Sequence, residues 1–167
     1  AEEAESLTIN NCGSKLLEDF GASDLGAETA TSAQDTAVGK GSIADSPGIE
    51  AGLVGATAYG YGSKSACGSS IALGASSSAL GINTASVGAS STADGVGSSS
   101  FGTSAKAIGV NSVALGYSSK ASTFNSTAVG SASEAMSSGA TVVGYGAKTF
   151  AGISTDATAI GINALSM

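Results

Sequence analysis

The chain has no histidine and no tryptophan, one proline, two cysteines and only 5% aromatic residues. Each shortage excludes something. Without histidine there is no Ser-His-Asp triad and no imidazole metal site. Serines are abundant, but no base accompanies them. The carboxylates are scattered, and no pair has a spacing that argues glycoside hydrolysis. Charged residues make up 11% of the chain, and nothing forms the basic patch that nucleic-acid binding requires. An anionic membrane surface is no better served. No apolar run approaches the eighteen residues a membrane helix needs. The expectation is a non-enzymatic protein with no cofactor and no metal.

The 25 glycines are what the chain has in place of these. They recur every fourteen residues at Gly60, Gly74, Gly88, Gly102, Gly116, Gly130 and Gly144. The residues before them are Tyr59, Leu73, Val87, Phe101, Leu115, Val129 and Val143. Fixed-period self-similarity marks a stacked repeat. There is also a half-period. Gly81, Gly95 and Gly109 fall seven residues after Gly74, Gly88 and Gly102, and the chain divides into sevens such as GSSIALG, INTASVG and VNSVALG. The third residue of each seven, from Ala56 to Ala147, is Ser, Thr or Ala. The fifth is also small, as at Ala58, Ala72, Ser86, Ala107, Ala114, Ala128 and Val142.

These sevens are not coiled-coil heptads. A coiled coil needs two large apolar positions per heptad. Here there is about one, with a glycine that costs a helix roughly 1 kcal/mol each time. A short strand and a turn per seven fits better. Two sevens then make one coil, and stacked coils make an all-β parallel solenoid. Disordered linkers share the Ser, Ala and Gly richness, but they do not hold an aliphatic residue in phase over such a length.

The two halves of a coil differ. Before the fourteen-residue glycines, the large apolar residues Leu73, Val87, Phe101, Leu115, Val129 and Val143, continued by Ile160 before Gly161, are expected to form the core. In the other half that slot holds Asp94 and Ser122 among others, and polar residues do not enter a dry core without partners. Two residues earlier come Lys64, Ser78, Thr92, Lys106, Lys120, Glu134 and Lys148, read as a solvated face. Ile82, Val96, Val110 and Phe124 suggest a second side to a narrow core. Tyr61, Tyr117 and Tyr145 share one register and are expected at the rim. A coil this thin buries little, so association with identical neighbours in closed symmetry is expected.

The net charge of −7 is unevenly placed: ten of thirteen acids lie in the first fifty residues. Residues 1–35 form an acidic segment without the repeat, in which Ser14 to Phe20 could make a short helical turn. The roll is expected over 36–167. From Gly39 to Gly60 the period is exceeded by seven residues, assigned to a loop at 45–51 around Pro47. Three extra residues before Gly161 place a bulge at 152–156. Insertions leave a solenoid's stack intact and project from one side. Cys12 and Cys67 could pair, which would suit an oxidising compartment; Cys67 could equally be a small turn residue. Asn125-Ser126-Thr127 fits a glycosylation pattern that matters only in a eukaryotic secretory pathway. The start at Ala1 suits a mature product or an excised fragment, and the repeat running to the last residues suggests that the natural protein continues.

Three coils carry a specific resemblance. Asn111-Ser112-Val113-Ala114-Leu115-Gly116, Asn125-Ser126-Thr127-Ala128-Val129-Gly130 and Ser69-Ser70-Ile71-Ala72-Leu73-Gly74 resemble the head repeats of trimeric autotransporter adhesins, the YadA-like proteins of Gram-negative bacteria. The resemblance spans about residues 36–165. It implies a left-handed parallel β-roll, a homotrimer, and display at the cell surface, anchored in the outer membrane by segments absent here. It implies attachment to host cells or to matrix proteins such as collagen, fibronectin or laminin. Some family heads bind collagen through NSVAIGxxS repeats. That pattern falls on Asn111, Ser112, Val113, Tyr117 and Ser119, and on Asn125, Ser126 and Thr127, as candidate contacts. Gly60, Gly74, Gly88, Gly102, Gly116, Gly130, Gly144 and Gly161 are the turn residues. The neck, stalk and anchor of the family are missing, and the first 35 residues match no part of its pattern. A structural spacer or fibre segment is the alternative reading, and an ice-binding solenoid a third.

Overall fold

The computed structural model describes residues 29–30, 35–46, 55–151 and 155–166. The region around Ser14 to Phe20 lies outside them. Each coil contributes one three-residue strand and one two-residue strand. The longer strands, from Thr36–Val38 to Thr158–Ile160, form a nine-stranded parallel sheet. The shorter ones, from Thr29–Ala30 to Leu165–Ser166, form a ten-stranded parallel sheet. Neighbouring strands pair one period apart, as in Ser99 with Val113, Ser100 with Ala114 and Phe101 with Leu115. The architecture is an all-β parallel solenoid.

The ladder already includes Thr29–Ala30, which pairs with Ile43–Ala44, so the stack begins ahead of residue 36. Thr36 pairs with Thr57 and Ile43 with Lys64. The longer step places the extra residues between Ala44 and Thr57. Thr141 pairs with Thr158 and Lys148 with Leu165, which places the second addition between Thr149 and Thr158.

The corners explain the composition. From Gly62 to Gly146 a residue with φ between +52° and +70° recurs every seven positions. It is the third residue of a four-residue turn, the place where a type II turn requires positive φ. At Gly116-Tyr117-Ser118-Ser119, Ser118 has φ +53° and the Ser119 amide donates to the Gly116 carbonyl at 3.3 Å. The Ser119 hydroxyl donates to the same carbonyl at 3.0 Å. Ser63, Ser77, Thr84, Ser91 and Ser133 repeat this bond. The constant Ser/Thr/Ala slot is therefore a buried corner in which a small side chain fits and most hydroxyls find a carbonyl three residues back, while those of Ser98 and Ser112 are buried without a partner. Gly116 itself has φ +135°, and a Cβ there would lie 2.6 Å from the Gly130 carbonyl oxygen of the next coil. Both the backbone angle and the close stacking require glycine.

The core corrects the sequence reading. Side chains alternate along a strand, and the middle residue of each three-residue strand points inward. Ala58, Ala72, Ser86, Ser100, Ala114, Ala128 and Val142 are fully buried. They face Ser65, Ala79, Ala93, Ala107, Ala121, Ala135 and Thr149 from the other sheet, also fully buried. Val142 is the largest of the fully buried side chains. Leu73, Val87, Phe101, Leu115, Val129, Val143 and Ile160 come one residue later, so they point out of the coil. Leu115 is 45% exposed and Ile160 69%. Ile82, Val96, Val110 and Phe124 are exposed as well, on corners, and do not form a second core. A fourteen-residue coil encloses a row of methyls and hydroxyls and has no room for leucine.

Candidate functional site

The nine-stranded sheet presents two outward columns. One runs Thr36, Thr57, Ile71, Ala85, Ser99, Val113, Thr127, Thr141 and Thr158. The other runs Val38, Tyr59, Leu73, Val87, Phe101, Leu115, Val129, Val143 and Ile160. Neither contains a charged residue. The first is mostly threonine and serine, and the second is apolar throughout. Strands in a sheet lie about 4.8 Å apart, so the apolar stripe formed by the second column is roughly 38 Å long. Contiguous apolar surface of that extent marks an interaction site.

The ten-stranded sheet differs. Its outward column runs Ile43, Lys64, Ser78, Thr92, Lys106, Lys120, Glu134, Lys148 and Leu165. Lys148 Nζ lies 3.2 Å from Glu134 Oε1 across one rung. The two sheets thus divide the surface into an apolar face and a hydrated, lysine-bearing face.

The candidate contact residues do not converge. Asn111 and Asn125 sit at φ +54° and +52° on one line of corners. Asparagine tolerates that left-handed conformation better than most residues, which accounts for it there. Tyr117 stands on the opposite corner of its coil, 63% exposed. Val113 and Thr127 lie in the outward column of the nine-stranded sheet. Ser112, Ser119 and Ser126 are fully buried and out of reach of a ligand: Ser119 and Ser126 bond to Gly116 and Thr123 carbonyls. These three are corrected from contacts to corner-formers. What remains is spread over a surface and encloses no pocket.

One group escaped the sequence reading. The Asp35 carboxylate accepts hydrogen bonds from the Ser46 amide at 3.1 Å, the Ser46 hydroxyl at 2.5 Å and the Ala56 amide at 2.7 Å. Ser46 and Ala56 flank the first addition, so one buried carboxylate ties both of its ends. The signal was available: Asp35 occupies the slot that elsewhere holds Ser, Thr or Ala. Cys67 is buried and disulfide-bonded; the other cysteine, Cys12, lies outside the described residues. Among the described residues no group of three or more His, Cys, Asp or Glu could hold a metal ion, and no helix is long and apolar enough to cross a membrane.

Among the described residues the solenoid presents one apolar face and one lysine-bearing face, and the candidate contacts converge on no polar pocket. Comparison with known families agrees. The YadA head domain repeat matches the chain in two copies, at residues 93–119 and 107–133. Residues 93–133 are thus similar to YadA head repeats, and the YadA head is a non-enzymatic adhesin domain. The parallel β-solenoid is consistent with the head of a trimeric autotransporter adhesin. No curated protein matches the chain.

Proposed function

We propose that this chain forms the homotrimeric head of a bacterial surface adhesin and attaches the cell to host matrix or host cells. The observation that carries the reading is the uncharged apolar stripe on the nine-stranded sheet, running through the coils that match YadA head repeats. A lone roll would leave Leu73, Phe101, Leu115, Val143 and Ile160 in water. Burying a leucine- or phenylalanine-sized side chain is worth about 1.5–3 kcal/mol, and three rolls packed on these faces recover it along the whole stack. The large apolar residues are then a core after all, shared between chains instead of enclosed by one. Each roll is left-handed in this reading, as in the family.

Attachment uses the repetitive outer surface and the corner residues Asn111, Tyr117 and Asn125, with collagen, fibronectin or laminin as matrix partners. The chain sits at the cell surface of a Gram-negative bacterium, held by an outer-membrane anchor beyond these residues. Binding of the chain to immobilised collagen, fibronectin, laminin and host cells tests the proposal. Saturable binding that is lost when the trimer is dissociated is expected. A stable trimer that binds none of them would instead indicate a spacer.

A further inference from the structure

The lysine-bearing face concentrates the cations of the chain. The chain has six cations, all lysine, and four of them occupy the outward slot of the ten-stranded sheet: Lys64, Lys106, Lys120 and Lys148. Lys106 and Lys120 are register partners on adjacent strands, about 4.8 Å apart at the backbone. Like charges placed directly opposite destabilise a sheet. Neither has an ion-pair partner among the described residues. Glu134, next in the column beside Lys120, is engaged by Lys148. The single acid in this run therefore relieves one end and leaves the Lys106–Lys120 pair exposed to any anion that arrives.

From these observations we infer that the ten-stranded face binds a linear sulfated polysaccharide. The ladder from Lys64 to Lys148 spans six rungs, roughly 29 Å, a straight and rigid comb suited to anionic groups spaced along a stiff polymer. Ser78 and Thr92 stand between the lysines and offer hydroxyls to a sugar chain. The column between Lys64 and Lys148 holds no aromatic side chain, and Phe150 beside Lys148, 38% exposed, is a single ring and not the run of rings on which single-stranded nucleic acid stacks its bases. The inference rests on the adhesin reading and gives it a second class of ligand. The cationic face stays open because the apolar face takes the assembly.

The test measures binding of the whole chain to immobilised heparin, with chemically desulfated heparin, duplex DNA and anionic lipid vesicles as comparison probes. Binding to heparin that weakens as salt rises is expected, with clear preference over all three comparisons. Lys106→Gln with Lys120→Gln should reduce affinity about fivefold per lysine removed. Lys40→Gln, on an exposed corner outside the ladder, should leave it unchanged. No heparin binding at low salt, equal binding of desulfated heparin, DNA or vesicles, or an unaltered double variant would each overturn the inference. Matrix-protein binding is measured on the same samples. A chain that holds matrix proteins but not heparin defeats this inference alone, and one that holds heparin but no matrix protein defeats the matrix-protein assignment alone.

Discussion

At the scale of single residues, the roll depends on positions where only one size or one backbone angle fits. Ala114 is fully enclosed between two sheets. Enlarging it to leucine overpacks a core with no slack, and overpacking costs about 1–3 kcal/mol. Ala114→Leu should lower the unfolding free energy by that amount, measured from the midpoint and slope of a denaturant titration. Asn111 holds a left-handed angle that costs an ordinary residue about 1–2 kcal/mol. Asn111→Val should therefore destabilise the chain by about that much, whereas Asn111→Gly should stay near neutral. Equal stability of the two Asn111 variants in a denaturant titration would show that the corner does not impose the angle.

At the scale of strands and corners, the period, the strand-and-turn unit and the parallel stacking were legible, because glycine marks each turn and the period never slips between Gly60 and Gly144. Which side of the strand faced in was not. The sequence points to the large apolar residues as the core because burial normally tracks size and hydrophobicity. A coil of fourteen residues reverses this: its interior admits only alanine, serine and an occasional threonine or valine, and leucine must find a neighbour. The sequence held the clue in its two constant small-residue columns, at the third and fifth positions of each seven. Asp35 was legible only as a deviation from the first of these columns, and its role needed the coordinates of Ser46 and Ala56. Its removal should be felt locally, since each repeat touches only its neighbours. Hydrogen bonds to charged groups contribute about 1.5–3 kcal/mol. Asp35→Ala should speed amide exchange at Ala56 and Thr57–Tyr59 and leave Val113–Leu115 unaffected. Uniformly faster exchange would instead mean that the stack opens as one unit.

At the scale of the whole molecule, the division of the surface is the central result. The outward columns of one sheet carry no charge, and four of the six cations stand on the other. Among the candidate contact residues, the sequence pattern could not separate corner-formers such as Ser112 and Ser126 from residues that face solvent. Both kinds share one motif, and only burial distinguishes them. Leu115→Asp tests the apolar stripe. It should leave the enclosed Ala114 row intact and block association, because it places a carboxylate in the middle of the apolar stripe, where pairing three chains would bury it unpartnered. The most direct measurement is the solution mass by sedimentation equilibrium, with the β-rich circular dichroism spectrum recorded on the same samples. The account predicts three times the chain's 15.7 kDa for the native sequence and a lower mass for Leu115→Asp. A folded native chain that sediments as a 15.7 kDa monomer would contradict it.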